Sequence, residues 1–456
     1  MGGIKITNFN RIFSEMKNLY LNDKRPWIIG LSGGKDSTCV TQMVYYMLKN
    51  LPLEKRKKEV HILSSDTLVE SPAIQTRIRN VVRKIEMQAK KDNLPIKVKI
   101  LRPELDDTFW VNLIGRGYPS PNRWFRWCTD RLKIKPMTKY TLEQVKENGE
   151  VVILLGARKS ESASRAQIMG KYEIKNFRLR KHSTIPGAYI YTPIEDWDFR
   201  EVWAYLLQAP SPWDDDNKEL VTLYRKTDSE CPLVIDKSTP ACGGSRFGCW
   251  VCTVVDRDRA IEGLIEDGKT WLEPLLEFRN WLKEVRDDPK ARESVRKRDV
   301  KKKVAAEFFG REFEAPEHRG HKILGPFTFR TRHEIFRRLM NLQEKFPSRG
   351  ISLISPEEIK AIETILIYEG DNISSIADIL TPSKNIDMKK KGSIRDDPLI
   401  DLCKKYEIPI GLIERLLLAE KDFSALSRRT RVYDRLEKVI EEHVIQNMNK
   451  ENGVKK

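Results

Sequence analysis

"PWIIGLSGGKDSTCV" (Pro26–Val40) decides the fold. A short apolar run enters a Gly-Gly turn, and a segment with helical spacing leaves it: Val40, Met43, Val44 and Met47 share one face. Strand, glycine turn and helix together make a phosphate cradle. Gly33 and Gly34 permit positive φ and close approach of backbone N–H groups, and the helix N-terminus adds partial positive charge. Ser32, Lys35, Ser37 and Thr38 are candidate donors to phosphate oxygens, and Asp36 is a candidate ligand for Mg²⁺. A Walker A loop is excluded. The gap from Gly30 to Gly34 is one residue short, and Asp36 stands where that motif needs Ser or Thr.

Outward from this turn, further apolar runs alternate with helical patterns. "EVHILSSDT", "IKVKIL", "VVILLGAR" and "AYIYTPIEDW" read as strands, the fourth strand of the chain ("VVILLGAR") purely apolar as in a strand buried on both faces. Ser71 and Pro72 read as a helix cap and first-turn proline, and Asp198 with Glu201 as a capping box. The expected fold is α/β, a doubly wound parallel sheet with ligands at the carboxyl ends of its strands. Asp66, at one such end, is a candidate for a ribose or adenine edge. Arg126, Arg131, Lys133 and Lys135 form a cationic stretch suited to a phosphorylated substrate or to a solvated helix face. Arg158 and Arg165 follow the fourth strand as candidate clamps on an anionic transition state, with Glu161 orienting one of them.

Four cysteines, Cys231, Cys242, Cys249 and Cys252, crowd a turn-rich segment with spacing C-x10-C-x6-C-x2-C. Such a set suits a [4Fe–4S] cluster or tetrahedral zinc, and a redox pair at Cys249 and Cys252 is a third option. The total of seven cysteines is odd, which argues against a disulfide framework. Cys128, among Arg126 and Arg131, is expected to have a lowered pKa and is a candidate sulfur carrier, although a small packing residue in the substrate loop or a cluster ligand fits it equally; Cys39 and Cys403 read as packing residues.

"SGGKDS" resembles the PP-loop of the ATP pyrophosphatase superfamily, which binds pyrophosphate and lets a nucleophile attack the α-phosphate of ATP. "SSDTLVESP", "RWCTDRLKIKP", "LGARKSESASR" and "TPIEDWDFREVWAYL" resemble the PAPS-reductase-like branch in order and spacing. With the inserted "CGGSRFGCWVCTVV" and a basic helical C-terminal part, residues 20 to 310 are similar to the DndC family, sulfurtransferases of bacterial DNA phosphorothioation. That resemblance implies ATP, Mg²⁺ and a [4Fe–4S] cluster rather than zinc. It also implies a cysteine desulfurase as sulfur donor, the subunits DndD and DndE as partners, and DNA as substrate. Rival readings are a tRNA thiolase, a sulfonucleotide reductase, a sulfate adenylyltransferase-like enzyme, or a nucleic-acid-binding subunit with a vestigial site. The reductase would need a C-terminal Glu-Cys-Gly-Leu-His segment, which the sequence lacks.

The 456 residues carry a net charge of +17, which points to a polyanionic partner, nucleic acid first. Basic runs at 290–303, 329–339 and 426–436 extend that expectation, although a protein-docking face fits them equally. The expected organisation is a nucleotide domain at 1–208, a cysteine-rich segment at 209–256 and a basic helical region at 257–456, with a mobile loop near 381–398. No long apolar run or secretory signal is legible, so the expected location is cytoplasmic.

Overall fold

The computed structural model describes residues 7–161, 173–174, 177–225, 248–296, 299, 317–318, 321–322, 324–346, 350–369, 403, 406, 408–413, 415–416 and 436–443. The chain forms two compact units, Met1–Phe109 with Pro121–Trp281, and Trp110–Ser120 with Leu282–Lys456.

The first unit is built on β1 (Trp27–Gly30), β2 (Val60–Ser65), β3 (Ile96–Leu101), β4 (Val151–Leu154), β5 (Glu173–Ile174), β6 (Phe177–Lys181) and β7 (Ala188–Tyr191). Their order in the sheet is β3-β2-β1-β4-β7-β6-β5. The five expected strands are β1, β2, β3, β4 and β7, and they pair in parallel. The antiparallel β5 and β6 extend the sheet beyond β7; "FRLRK" carries too many charges to read as a strand without its partners. Alternation along the strands splits the core in two. Trp27, Ile29, Val60, Ile62, Val152 and Leu154 face one layer of helices. Ile28, Leu63, Val151, Ile153 and Ile190 face another, which includes Tyr140. The helices are α1 (Thr7–Asn22), α2 (Lys35–Lys49), α3 (Pro72–Lys91), α4 (Lys135–Asn148), α5 (Phe199–Gln208), α6 (Asn217–Arg225), α7 (Arg259–Glu266) and α8 (Glu273–Asp287), the last reaching into the second unit.

Helix α2 is buried on all sides, not on one face, because it fills the centre of its layer. The Asp198–Glu201 capping box forms as expected. Ser71 does occupy the position before α3, but its side chain makes no capping bond.

The second unit holds α9 (Phe329–Gln343) and α10 (Pro356–Tyr368), the latter opened by a Ser355–Glu358 capping box. Residues Trp110–Ser120 belong to it. The Trp110 indole donates to Leu353 O at 2.7 Å. Within the basic run at 329–339, Arg332 is buried and donates to the Phe327 and Gly115 carbonyls and to Glu369. It is therefore a core ion pair and not part of a polyanion surface. Gly117 at φ +68° makes room for that guanidinium. The loop expected near 381–398 lies outside the described residues. Among the described residues, no helix is long and apolar enough to cross a membrane.

Candidate nucleotide and thiol site

The sheet order turns at β1: the chain runs from β1 to β2 and β3 on one side, then returns to β4 on the other. The carboxyl ends of β1 and β4 lie side by side, where doubly wound folds place their ligands, and the two loops that leave them close on a narrow, buried crevice. The Gly turn lies at one lip. Gly33 adopts φ +76°, and a Cβ on it would stand 3.0 Å from Ile78. Ser37 Oγ donates to Gly34 O at 3.0 Å and accepts the Ser32 N–H at 3.2 Å, which ties the turn to the first turn of α2. Gly156, just past β4, forms the other lip. A Cβ there would come within 2.6 Å of the Asp36 backbone, so only glycine lets the two lips close.

Three charged side chains meet in this crevice, all nearly inaccessible: Lys35, Asp36 and Arg158 are 2%, 6% and 1% exposed. Arg158 Nε donates to Asp36 Oδ1 at 2.6 Å, and Lys35 Nζ lies 3.1 Å from Asp36 Oδ2. Arg158 is held in turn by Ser160 Oγ, and its own N–H donates to Glu161 at 3.0 Å. Both oxygens of Asp36, the expected Mg²⁺ ligand, thus face cations, and the carboxylate holds Lys35 and Arg158 in place. Thr38 lies buried on the first turn of α2, its N–H bonded to Gly34 O. Arg165 lies outside the described residues.

Tyr224, from α6, belongs to no pattern legible in the sequence. Its hydroxyl accepts the Lys35 N–H at 3.0 Å and its ring faces Lys35 Nζ at 5.1 Å. A phenol therefore sits on the helix N–H that a phosphate oxygen would meet. Only the packing of α6 over the turn reveals it.

Asp66 lies at the end of β2 as expected, but its carboxylate is engaged. Gln75 and the Leu68 N–H donate to one oxygen, and Arg79 and Arg102 to the other. Burial works to raise this carboxyl, and those hydrogen bonds with the Arg102 charge outweigh it, holding the group below its usual range. The carboxylate shapes the β2 loop, in which Leu68 takes the left-handed φ of +65°, and is not open to a ribose. The cationic stretch is also largely neutralised. Arg131 and Lys135 pair with Asp107 at 2.5 and 2.8 Å, and Lys133 lies 3.7 Å from Glu70.

The second half of the cysteine segment docks on that same β2 loop. Glu70 and Cys249 form an isolated antiparallel bridge, Trp250 N–H donates to Val69 O at 3.0 Å, and Ser71 N–H to Gly248 O at 3.2 Å. Cys249 Sγ lies 3.3 Å from Thr67 Oγ1. Cys252 N–H closes the turn onto Cys249 O at 3.0 Å, so the two thiols share one turn. Arg279, fully buried, clamps the chain as it leaves this turn: it donates to the carbonyls of Cys252 at 2.8 Å, Asp256 at 2.9 Å, and Val255. Ser71 Oγ, beside the turn, is buried without a hydrogen-bond partner. The turn and this orphaned hydroxyl fit one edge of a thiolate-held cluster or zinc. Among the described residues, no group of three His, Cys, Asp or Glu is placed to hold a metal. Cys231 and Cys242 lie outside the described residues.

Cys128 stands in the short helical turn Trp127–Thr129, ahead of a widened π turn at Asp130–Ile134. Pro136 has no N–H to give the preceding turn, which accounts for the widening. The expectation of a lowered Cys128 pKa is overturned. Burial pushes the thiol up to about 12, Cys252 adds to the rise, and Lys133 offsets only part of it. Burial likewise raises Cys249 well above the ordinary thiol range. Arg131 is paired with Asp107.

Residues 26–255 match the phosphoadenosine phosphosulfate reductase domain family. The chain belongs to that family. The Gly turn, the β2 loop, Arg158 and the Cys249–Cys252 turn all fall within this phosphoadenosine phosphosulfate reductase domain. An uncharacterized protein of Methanocaldococcus jannaschii is 27% identical over 267 residues, 58% of this chain and 44% of the relative. The chain thus spans less than half the length of that relative. Among solved structures, a phosphoadenylyl-sulfate reductase from Candida auris in a phosphate complex is 16% identical. It covers 48% of this chain and 93% of its own, with a TM-score of 0.29. The U34-tRNA thiolase NcsA from Methanococcus maripaludis, with its [4Fe-4S] cluster, is 14% identical over 48% of this chain and 73% of its own, with a TM-score of 0.28.

Proposed function

We propose that this protein is an ATP-dependent sulfurtransferase that cleaves ATP to AMP and pyrophosphate and places sulfur on a DNA backbone phosphate, as the DndC family does. The observation that carries the reading is the placement of two chemistries on neighbouring strands. A glycine turn with Lys35 and Arg158 follows β1 and β4, and a thiol turn is bonded to the loop after β2.

In this mechanism the Gly-turn amides and Lys35 receive the β- and γ-phosphates once Tyr224 yields the Lys35 N–H, and Mg²⁺ held beside Asp36 would offset phosphate charge. A DNA phosphate oxygen attacks the α-phosphorus, and pyrophosphate leaves. The oxygen to be replaced then departs with AMP when sulfur bonds to the DNA phosphorus. If a persulfide on Cys128 brings the sulfur, a second thiol breaks the S–S bond and leaves phosphorothioate with a disulfide. Two electrons from a dithiol reductant restore the thiols. Loading of Cys128 by a cysteine desulfurase needs its thiolate, so a base must take the thiol proton. Cys249 and Cys252, with Cys231 and Cys242, would hold a [4Fe–4S] cluster, which supplies a polarising site for sulfide when bound. DndD and DndE would bring DNA to the complex.

The test is anaerobic purification, then incubation with α-labelled ATP and Mg²⁺, alone and with DNA or tRNA. AMP and pyrophosphate, stimulated by DNA and not tRNA, are expected. ADP as product, or stimulation by tRNA alone, would discard the reading.

A further inference from the structure

The loop before Cys128 presents two aromatic rings to solvent. Of the ten tryptophans, Trp124 alone is exposed, at 62%, and the next residue, Phe125, is 44% exposed. Chance exposure of a flexible side chain does not account for them, because the turn beneath is built. Asn122 Oδ1 accepts the N–H groups of both Trp124 and Phe125 at 2.8 Å, and Phe125 N–H also donates to Asn122 O at 3.3 Å. The base of the loop is pinned as well. Thr253 Oγ1, one residue past Cys252, donates to Pro121 O at 2.6 Å, and Trp127 stacks on Phe109 with ring centroids 5.3 Å apart. The tip is thereby tied at one end to the thiol turn and at the other to Cys128.

Charge narrows the occupant. The Arg123 guanidinium lies 5.4 Å from the Trp124 ring centroid, Arg126 comes three residues later, and the whole chain is at +17. Rigid rings with few rotatable bonds, flanked by guanidinium groups, match the two faces of a nucleic-acid strand: bases that stack and phosphates that carry negative charge.

We propose that Trp124 and Phe125 form a stacking platform for an unpaired base of a polynucleotide, which sets the adjoining backbone phosphate over the Cys128 and Cys249–Cys252 thiols. This rests on the proposed nucleic-acid substrate, and it adds that the strand is engaged through a base out of its stack. Arg123 supplies the sequence-independent phosphate contact.

The experiment measures binding of a fluorescently labelled single-stranded DNA oligonucleotide, its RNA counterpart and the matching DNA duplex to the full-length protein across salt concentrations. Trp124→Ala is expected to weaken single-strand binding by about 10-fold or more, the size of one lost base–aromatic stack. The salt slope should stay unchanged, since stacking releases no counterions. Trp124→Phe should keep most of the affinity, and Arg123→Ala should lower the salt slope by about 1. A preference between the DNA and RNA strands identifies the source. Equal loss in Trp124→Ala and Trp124→Phe would overturn the platform. So would binding of the duplex alone, or no binding by the unaltered protein, which would assign the tip to a protein partner. AMP release is monitored on the same samples without oligonucleotide. No strand binding by the unaltered protein while it still releases AMP would remove the platform and spare the nucleotide reading; strand binding that Trp124→Ala weakens, in a protein that releases no AMP, would do the reverse.

Discussion

The Gly turn and the thiol turn lie at the ends of neighbouring strands and are held by opposite means. Around the Gly turn, position comes from side-chain charge: Arg158, Asp36 and Lys35 fix one another in a buried crevice. Around the thiol turn, position comes from backbone. Strand-like bonds to the β2 loop and the Arg279 clamp on three carbonyls hold it, and the thiols themselves stay partly accessible. A site that must bind a polyanion and release it gains from fixed cations. A site whose thiols must present sulfur or hold a cluster gains from a rigid backbone frame that sets them without tying them to charged side chains.

That contrast makes distinct demands on mutants. Arg158→Met should be among the most damaging to the fold, lowering stability by about 3 kcal/mol because buried Asp36 loses one of its two cationic partners and keeps only Lys35. Urea denaturation reads this, and a loss near zero would mean that the crevice is not held by charge. Arg279→Ala should cost about 3 kcal/mol by leaving buried carbonyls without donors. It should also speed alkylation of Cys249 and Cys252 while leaving ATP binding intact, and equal loss of both would erase the distinction between the two sites. Asp258, which caps α7 with an acceptor to the Ile261 N–H, gives a pH effect. Burial raises its carboxyl to about 6 from 3.8, so the folded chain keeps a proton that the unfolded chain has lost between those values. Its contribution to stability is full below about pH 4 and is lost as pH rises through about 6. Asp258→Asn keeps the cap and should gain about 2 kcal/mol over the unaltered protein between about pH 4 and pH 7, read from paired melting curves. A gap that does not change with pH would place that carboxyl in water. The smallest effect on stability, under about 1 kcal/mol against the unaltered protein freed of its iron, is expected for Cys249→Ser with Cys252→Ser, since the backbone frame is untouched. The same variant should lose iron and brown colour. Colour that survives serine at all four clustered cysteines would remove them as ligands.

Legibility in the sequence divides the same way. The five parallel strands, the Gly turn and the Asp198–Glu201 capping box are local patterns, and each appears where its residues place it. Asp66 stands at the expected strand end but serves a different task, because Arg79 and Arg102 come to it from other elements. The neighbours of Cys128 in the chain are cationic, whereas its ionisation is governed by burial and by Cys252. The docking of Cys249 on Glu70 and the phenol of Tyr224 over Lys35 join residues 179 and 189 positions apart in the chain. No spacing rule reaches that far. Among the basic runs, Arg332 turns inward to serve Gly115 and Glu369, a role that a charge count cannot distinguish from a solvated face.

The stretch Trp110–Ser120 gives the molecule a particular order of manufacture. It belongs to the second unit, yet it is synthesised in the middle of the first. Its Trp110 waits for Leu353, 243 residues later, before its indole N–H finds its acceptor. On the ribosome, the sheet can therefore close while one of its own connections still shows Trp110, Leu113 and Ile114 to water. A chain cut after the cysteine turn would keep that exposure for good, so fragments ending near residue 281 should aggregate even with their sheet complete.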